Sequence, residues 1–295
     1  VNKRRNIRII EPAGRPDRAT LERNIADLER RGFTVQYTAT TPDPDWAYAS
    51  GTVTARCLAL EQALFDEHCE YIVAARGGYG CSDLLPLLDW ERLHTVSPKC
   101  VVGLSDICAL HVALFTRLGW RGLHAVMPGG SLWQTGSAHT EHLLTLLGNG
   151  LPWKETLAVR LAGEDSTAQA VEGVLLGGCL AVLTNLIGTP YLPHSLAGSI
   201  LFIEDINENP GRLLRFWNQW TQCGLLEGLS AVLVGQLQGV SEREEVLAQL
   251  AQRTPCPVYA TELFGHQPPS FAIGQGASAR IGGDTLHWEI DELSP

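Results

Sequence analysis

The chain has 295 residues, 45% of them apolar and only 18% charged, which allows a large core and excludes a disordered or supercharged protein. With 22 Lys and Arg against 32 Asp and Glu the net charge is −10. That balance argues against nucleic-acid binding, which needs a basic face to displace phosphate counterions, and against docking on an anionic membrane.

In chain order, IRII (7–10) reads as a short strand and EPAG as a turn. Residues 19–32 follow helical periodicity, with Leu21, Ile25 and Leu28 on one face and Gly32 as the stop. FTVQYTA is a second strand, and residues 52–67 form another amphipathic helix. YIVAA (71–75) is an apolar strand of the kind buried on both faces, followed by RGGYG and then a helix or turn through SDLLPLLDW. CVVGL (100–104) is a further apolar strand, and the helical stretch SDICALHVALFTRLGW follows at once. Strand and helix alternate, which predicts a parallel sheet with helices on both faces.

After about residue 150 the pattern changes. Residues 151–178 hold short β-rich runs broken by glycines. SILFIEDIN and AVLVGQL read as strands, GRLLRFWNQWTQCGLL and VSEREEVLAQLAQR as helices, and SARIGGDTLHWEI as a hairpin around Gly282-Gly283-Asp284. The expected fold is α/β: an N-terminal parallel-sheet domain over 1–150, a linker over 151–167, and a smaller C-terminal α+β domain over 168–295. No window resembles a secretory signal or a membrane span. The eight cysteines form no CxxC pair, and no Cys/His cluster has ligand spacing, so reduced thiols, no metal, no cofactor and a cytoplasmic setting are expected.

Four segments could carry chemistry. RGGYG (76–80) ends a buried strand, where paired glycines let backbone N–H groups approach an anion; a bare tight turn explains it equally. In GLSDI (103–107), Ser105 falls on a sharp strand-to-helix turn, as in a nucleophile elbow, although Ile107 replaces the second glycine of that motif. Helix capping by Ser105 or Asp106 is the alternative. In LFIEDINENP (201–210), Glu204 and Asp205 end an apolar strand and can orient a histidine, bind a metal or cap a helix, with Glu208 a further candidate. In ELFGHQPP (262–269), His266 lies in a loop, whereas the other histidines, His124 among them, sit in no comparable context. A serine, a carboxylate and a histidine can form a hydrolytic triad, but a triad is recognised by geometry, which spacing does not supply. A cysteine hydrolase using Cys108 or Cys179 is a remote alternative, since both lie in apolar segments.

The blocks AARGGYGCSDLLPLLDW, VVGLSDICALHVALF, GVLLGGCLAVLTNLIGTPYLP, ILFIEDINENPGRLLR and TELFGHQ, in this order, resemble the LD-carboxypeptidase family, which includes muramoyl-tetrapeptide carboxypeptidases and microcin self-immunity proteins. The resemblance implies a two-domain serine peptidase without a metal. Its nucleophile would be Ser105, its triad carboxylate Glu204 and its base His266, with an oxyanion hole from the N–H groups of Gly78 and Asp106. It further implies a murein peptide substrate, release of the terminal D-alanine from cytoplasmic murein tetrapeptides, and a homodimer. Within the family the alternative is a self-immunity peptidase that cleaves a peptidyl-nucleotide. Outside it stands a non-catalytic muropeptide-binding protein. Two departures bear on specificity: Gly177-Gly178-Cys179 stands where the family commonly has GGN, and Val126-Met127-Pro128-Gly129-Gly130 where it commonly has a glycine-proline-methionine stretch.

Overall fold

The computed structural model describes residues 5–162 and 170–294. The first part of the chain forms strands β1 (Asn6–Ile10), β2 (Thr34–Tyr37), β3 (Tyr71–Ala74), β4 (Cys100–Gly103) and β5 (Gly122–His124). Between them lie helices α1 (Arg18–Arg30), α2 (Val53–Leu64), α3 (Cys81–Leu84), α4 (Trp90–Leu93) and α5 (Cys108–Leu118). Then follow α6 (Ala138–Asn149), β6 (Trp153–Ala158), β7 (Arg160–Leu161), β8 (Val171–Cys179), α7 (Leu180–Thr184), β9 (Ser199–Ile206) and α8 (Pro210–Gln222). The chain continues through β10 (Ala231–Gln238), α9 (Arg243–Arg253), β11 (Val258–Ala260), β12 (Ile273–Gln275), β13 (Ser278–Gly282) and β14 (Thr285–Ile290).

Local chemistry starts the helices where the sequence places them. Asp17 and Thr52 accept the N–H groups of Thr20 and Ala55 as N-caps of α1 and α2, and Asn209 caps α8 with Pro210 in its first turn. Buried Trp217 and Trp220 anchor α8.

The first sheet has the order β12-β5-β4-β3-β1-β2. Neighbouring strands are parallel, as the alternation predicts, except that β12 runs antiparallel to β5. Strands β3 and β4 are buried along their whole length. Strand β12 comes from the C-terminal part of the chain and completes the N-terminal sheet. Helix α5 packs against β4 in this sheet and also against β8 and α7, so it bridges the two halves.

The second sheet has the order β6-β14-β13-β8-β9-β10-β11-β7. Strands β8 to β11 are parallel and the rest antiparallel. Strands β6 and β7 lie at opposite edges although only Val159 separates them, so a single segment closes the sheet on itself. Val159 N–H donates to Asp284 O on one side and Ala162 N–H to Val258 O on the other. The stretch 151–167, expected as a linker, therefore contributes sheet edges as far as residue 162; residues 163–169 lie outside the described part. Its alternation explains this: Trp153, Leu157 and Val159 are buried between exposed neighbours. Among the described residues, no helix is long and apolar enough to cross a membrane.

Candidate active site

The site lies at the carboxyl ends of the first sheet's strands, where open α/β sheets bind ligands. Strand β4 ends at Gly103, and Ser105 begins a short 3-10 turn that runs into α5. Ser105 has φ of 65°, the left-handed region that a non-glycine residue enters at a cost of about 1–2 kcal/mol. Strain of this kind is characteristic of an exposed nucleophile on a strand-to-helix elbow.

The RGGYG loop after β3 touches this turn. A methyl group on Gly77 would lie 2.8 Å from Ser105 Cβ and 3.1 Å from its Oγ, so the loop passes the serine only because it carries no side chain there. Gly78 has φ of 120°. Asp106, next to the serine, turns its buried carboxylate away from the turn and accepts the N–H of Cys81 at 2.8 Å, capping the helix that leaves the glycine loop. Burial raises the Asp106 pKa, while the Cys81 hydrogen bonds oppose the rise. The Asp106 N–H stands at a helix start, where backbone donors lack intrahelical acceptors. The buried guanidinium of Arg56 fixes the loop from behind, donating to Pro12 O, Gly51 O and Gly80 O and pairing with Asp83. Arg56 escapes a sequence reading because it looks like one more polar residue on an amphipathic helix.

Glu204 ends the apolar run of β9 with its side chain wholly buried. Its Oε2 lies 2.5 Å from His266 Nδ1, bringing together residues 62 apart in the chain. Burial would push the His266 pKa down, but the charge and hydrogen bond of Glu204 outweigh it and the net shift is upward. His266 Nε2 is buried and has no hydrogen-bond partner among the described residues. The loop that carries it is shaped by Gln236, a buried residue of β10. Its amide nitrogen faces the carbonyls of Glu262, Gln267 and Pro269, and its oxygen accepts the Gln267 N–H. Gln236 lies within a register irregularity between β9 and β10, which no local sequence signal announces.

Asp205 points to the other side of β9. It accepts the N–H groups of Ala181 and Ile206 and the thiol of Cys179, and burial raises its pKa to about 6. Glu208 stays outside the cluster and pairs with Arg212 in the first turn of α8. Arg76 donates to the Arg15 carbonyl at 2.6 Å.

The Ser105 turn and the Glu204 cluster meet through α5. Cys108, one turn after Ser105, places its sulfur 3.5 Å from His124 Nδ1 and accepts the Cys179 N–H at 3.3 Å. A methyl group on Gly178 would fall 2.3 Å from that sulfur, so the second glycine of Gly177-Gly178-Cys179 makes room for it. Cys108, His124 and Glu204 offer ligand atoms within 4.8 Å of one another, the one group of this kind among the described residues. A cation there would draw on the carboxylate that His266 already uses. Burial pushes the thiols of Cys108 and Cys179 well above their ordinary range, the opposite of what a thiolate nucleophile or ligand requires.

Comparison with known proteins bears directly on this arrangement. The sequence profile of the LD-carboxypeptidase N-terminal domain matches residues 7–125, and that of the LD-carboxypeptidase C-terminal domain matches residues 172–281. The chain belongs to the LD-carboxypeptidase family. A putative carboxypeptidase of Streptomyces coelicolor is 35% identical over 248 residues, covering 83% of this chain and 79% of the relative. The murein tetrapeptide carboxypeptidase of Pseudomonas aeruginosa is 30% identical over 297 residues, covering 96% and 94%. The crystal structure of muramoyltetrapeptide carboxypeptidase from Oxalobacter formigenes superposes with a TM-score of 0.83 at 26% identity, covering 98% of this chain and 100% of that one. This LD-carboxypeptidase family member is accordingly a serine-type carboxypeptidase.

Proposed function

We propose that this enzyme releases the C-terminal D-alanine from murein tetrapeptides, with Ser105 as nucleophile, His266 as general base and Glu204 as the carboxylate that orients it. The observation that carries the reading is the 2.5 Å contact between wholly buried Glu204 and His266, which leaves His266 Nε2 free of any described partner. Ser105 Oγ attacks the carbonyl of the L,D-peptide bond as His266 Nε2 takes its proton. The N–H groups of Asp106 and Gly78 stabilise the oxyanion. His266⁺ then protonates the leaving D-alanine amine, and water, activated by the same histidine, hydrolyses the acyl-enzyme. Glu204 holds the Nδ1–H tautomer and balances the imidazolium that forms in each half of the reaction. The eight free cysteines suit a reducing cytoplasm and a role in recycling cell-wall peptides. A homodimer rests on the family resemblance and is tested by sedimentation.

The experiment is D-alanine release from free L-Ala-D-Glu-meso-diaminopimelate-D-Ala, followed by mass spectrometry, with Ser105→Ala in parallel. Release by the parent and none by the variant supports the reading. Release by both removes Ser105 from it, and release by neither removes the substrate.

One observation favours a second reading, a self-immunity peptidase acting on a peptidyl-nucleotide. Trp46, Tyr48 and Tyr79 are exposed beside the glycine loop, with Trp46 5.3 Å from Tyr79 and 6.2 Å from Tyr48 between ring centroids. Such a shelf can stack a nucleobase. Hydrolysis of an aminoacyl sulfamoyl-adenosine with no action on the tetrapeptide selects this reading.

A further inference from the structure

His124 is the buried group at the site that the catalytic roles above leave without a task. It closes β5, its side chain is 1% exposed, and the edges of Phe202 and Phe264 pack around it. Its Nε2 stands 3.8 Å from Glu204 Oε1, and neither atom has a hydrogen-bond partner among the described residues. A buried carboxylate oxygen without a donor costs on the order of 1–3 kcal/mol, and a closure of less than an ångström satisfies both atoms at once. Catalytic hydrogen bonds are often long before substrate binds and tighten afterwards.

We propose that His124 is a positioning residue, which donates Nε2–H to Glu204 Oε1 and thereby commits Oε2 to His266. The proposal rests on the assignment of Glu204 and His266 as the working pair. Three features favour the required tautomer. Cys108 accepts the Cys179 N–H, so its own S–H is free to point at His124 Nδ1. With Nδ1 an acceptor, the single proton of a neutral imidazole sits on Nε2, facing Glu204. His124 is neutral, because burial lowers its pKa to about 4 against the opposing pull of Glu204. The groups that face it are Cys108 and His111 from α5, Glu204 from β9 and His266 from its loop. The result is a directional chain: Cys179 N–H to Cys108, Cys108 S–H to His124, His124 N–H to Glu204, and His266 N–H to Glu204. This gives a reason for a thiol, and room for it at Gly178, directly behind the nucleophile's helix. The length of the chain runs from the GGC segment to the base.

The test compares His124→Gln, whose amide nitrogen reaches roughly where Nε2 stands, with His124→Asn, which reaches only the Nδ1 position. The primary readout is the imidazole titration of His266 by NMR in the whole enzyme, which needs no substrate. Removing the donor leaves the Glu204 charge less shared and favours imidazolium, so in His124→Asn the His266 pKa rises by about half to one unit. In His124→Gln it stays near the parent value. With substrate, kcat of the Asn variant falls about tenfold or more at similar KM, and that of the Gln variant is largely retained. Cys108→Ser, which keeps a donor, should resemble the parent, and Cys108→Ala should follow the Asn variant. Equal His266 titrations in the Gln and Asn variants overturn the proposal. So does stoichiometric metal in the purified protein whose removal abolishes activity, since the three side chains would then be ligands. If the parent fails to release D-alanine, the substrate assignment fails while the His266 titration still decides the role of His124.

Discussion

Glu204→Gln is the most informative single change at the proposed site. It keeps the size and removes the charge. In the native enzyme the carboxylate is wholly buried and 2.5 Å from His266 Nδ1, so the imidazolium formed during acylation gains a full countercharge. With charge centres about 4 Å apart and an effective dielectric of about 20, that attraction is worth about 4 kcal/mol. Lost in the transition state, it corresponds to a fall of about a thousandfold in kcat/KM. The same change alters the pH profile in a definite direction. Glu204 holds the His266 pKa above its ordinary value against burial. The base works when neutral, so activity in the parent falls as pH drops through a value above about 6.5. In Glu204→Gln burial acts unopposed by that charge, and the acid limb moves below about 6.5. D-alanine release from free murein tetrapeptide, measured from about pH 5 to 9, reads both effects together. A variant retaining more than about a tenth of parental kcat/KM, or one whose acid limb stays put, would refute the pairing as the source of catalysis.

Other expectations follow from the same geometry. Gly77→Ala places a methyl 2.8 Å from Ser105 Cβ and should cut kcat about a hundredfold by displacing the nucleophile, with a stability loss of about 1–3 kcal/mol in denaturant unfolding. Ser105→Gly should be inactive yet at least as stable as Ser105→Ala, by up to about 1 kcal/mol, because glycine accepts the left-handed backbone; a less stable glycine variant contradicts the strain. Asp205 has its pKa raised from 3.8 to about 6, so its contribution to stability is full below the lower value and is lost as pH rises through the upper one. A pH series of unfolding midpoints should show this slope in the parent and not in Asp205→Asn, apart from a constant offset for the lost Ala181 contact. Chelators should leave D-alanine release unchanged, and a rate abolished by chelation and restored by zinc would contradict the metal-free mechanism.

Much of the first sheet was legible because its buried strands β3 and β4 are short apolar runs, each followed at once by a turn and a helix. The position of Ser105 was readable in the same way: a strand ending at Gly103 and a helix beginning within a few residues leave it only the turn. The partnership of Glu204 and His266 was not readable from spacing, since it depends on how β9 and a distant loop fold together, and family resemblance alone suggested it. His124, Gln236 and Arg56 went unnoticed for a shared reason. Each is a polar residue within an apolar or amphipathic stretch, and only its three-dimensional neighbours distinguish a functional group from a satisfied core residue. The expected linker differs from the structure because Pro152 and the glycines within 151–178 disguised a half-buried alternation that is satisfied only when two distant strands arrive to flank it.

The clasp at residues 153–161 also sets an order of assembly. Trp153 pairs with Ile290, and Leu161 pairs with Tyr259, so this segment cannot find both neighbours until the ribosome has supplied the chain through residue 290. The N-terminal sheet likewise waits for Ile273–Gln275 to cover β5. During synthesis the turn that carries Ser105 is thus made early, while His266 and strands β12 to β14 come later. A nascent chain holds the Ser105 turn well before it holds the Glu204–His266 pair proposed to serve it, and β6 finds its neighbour only once β14 has been made.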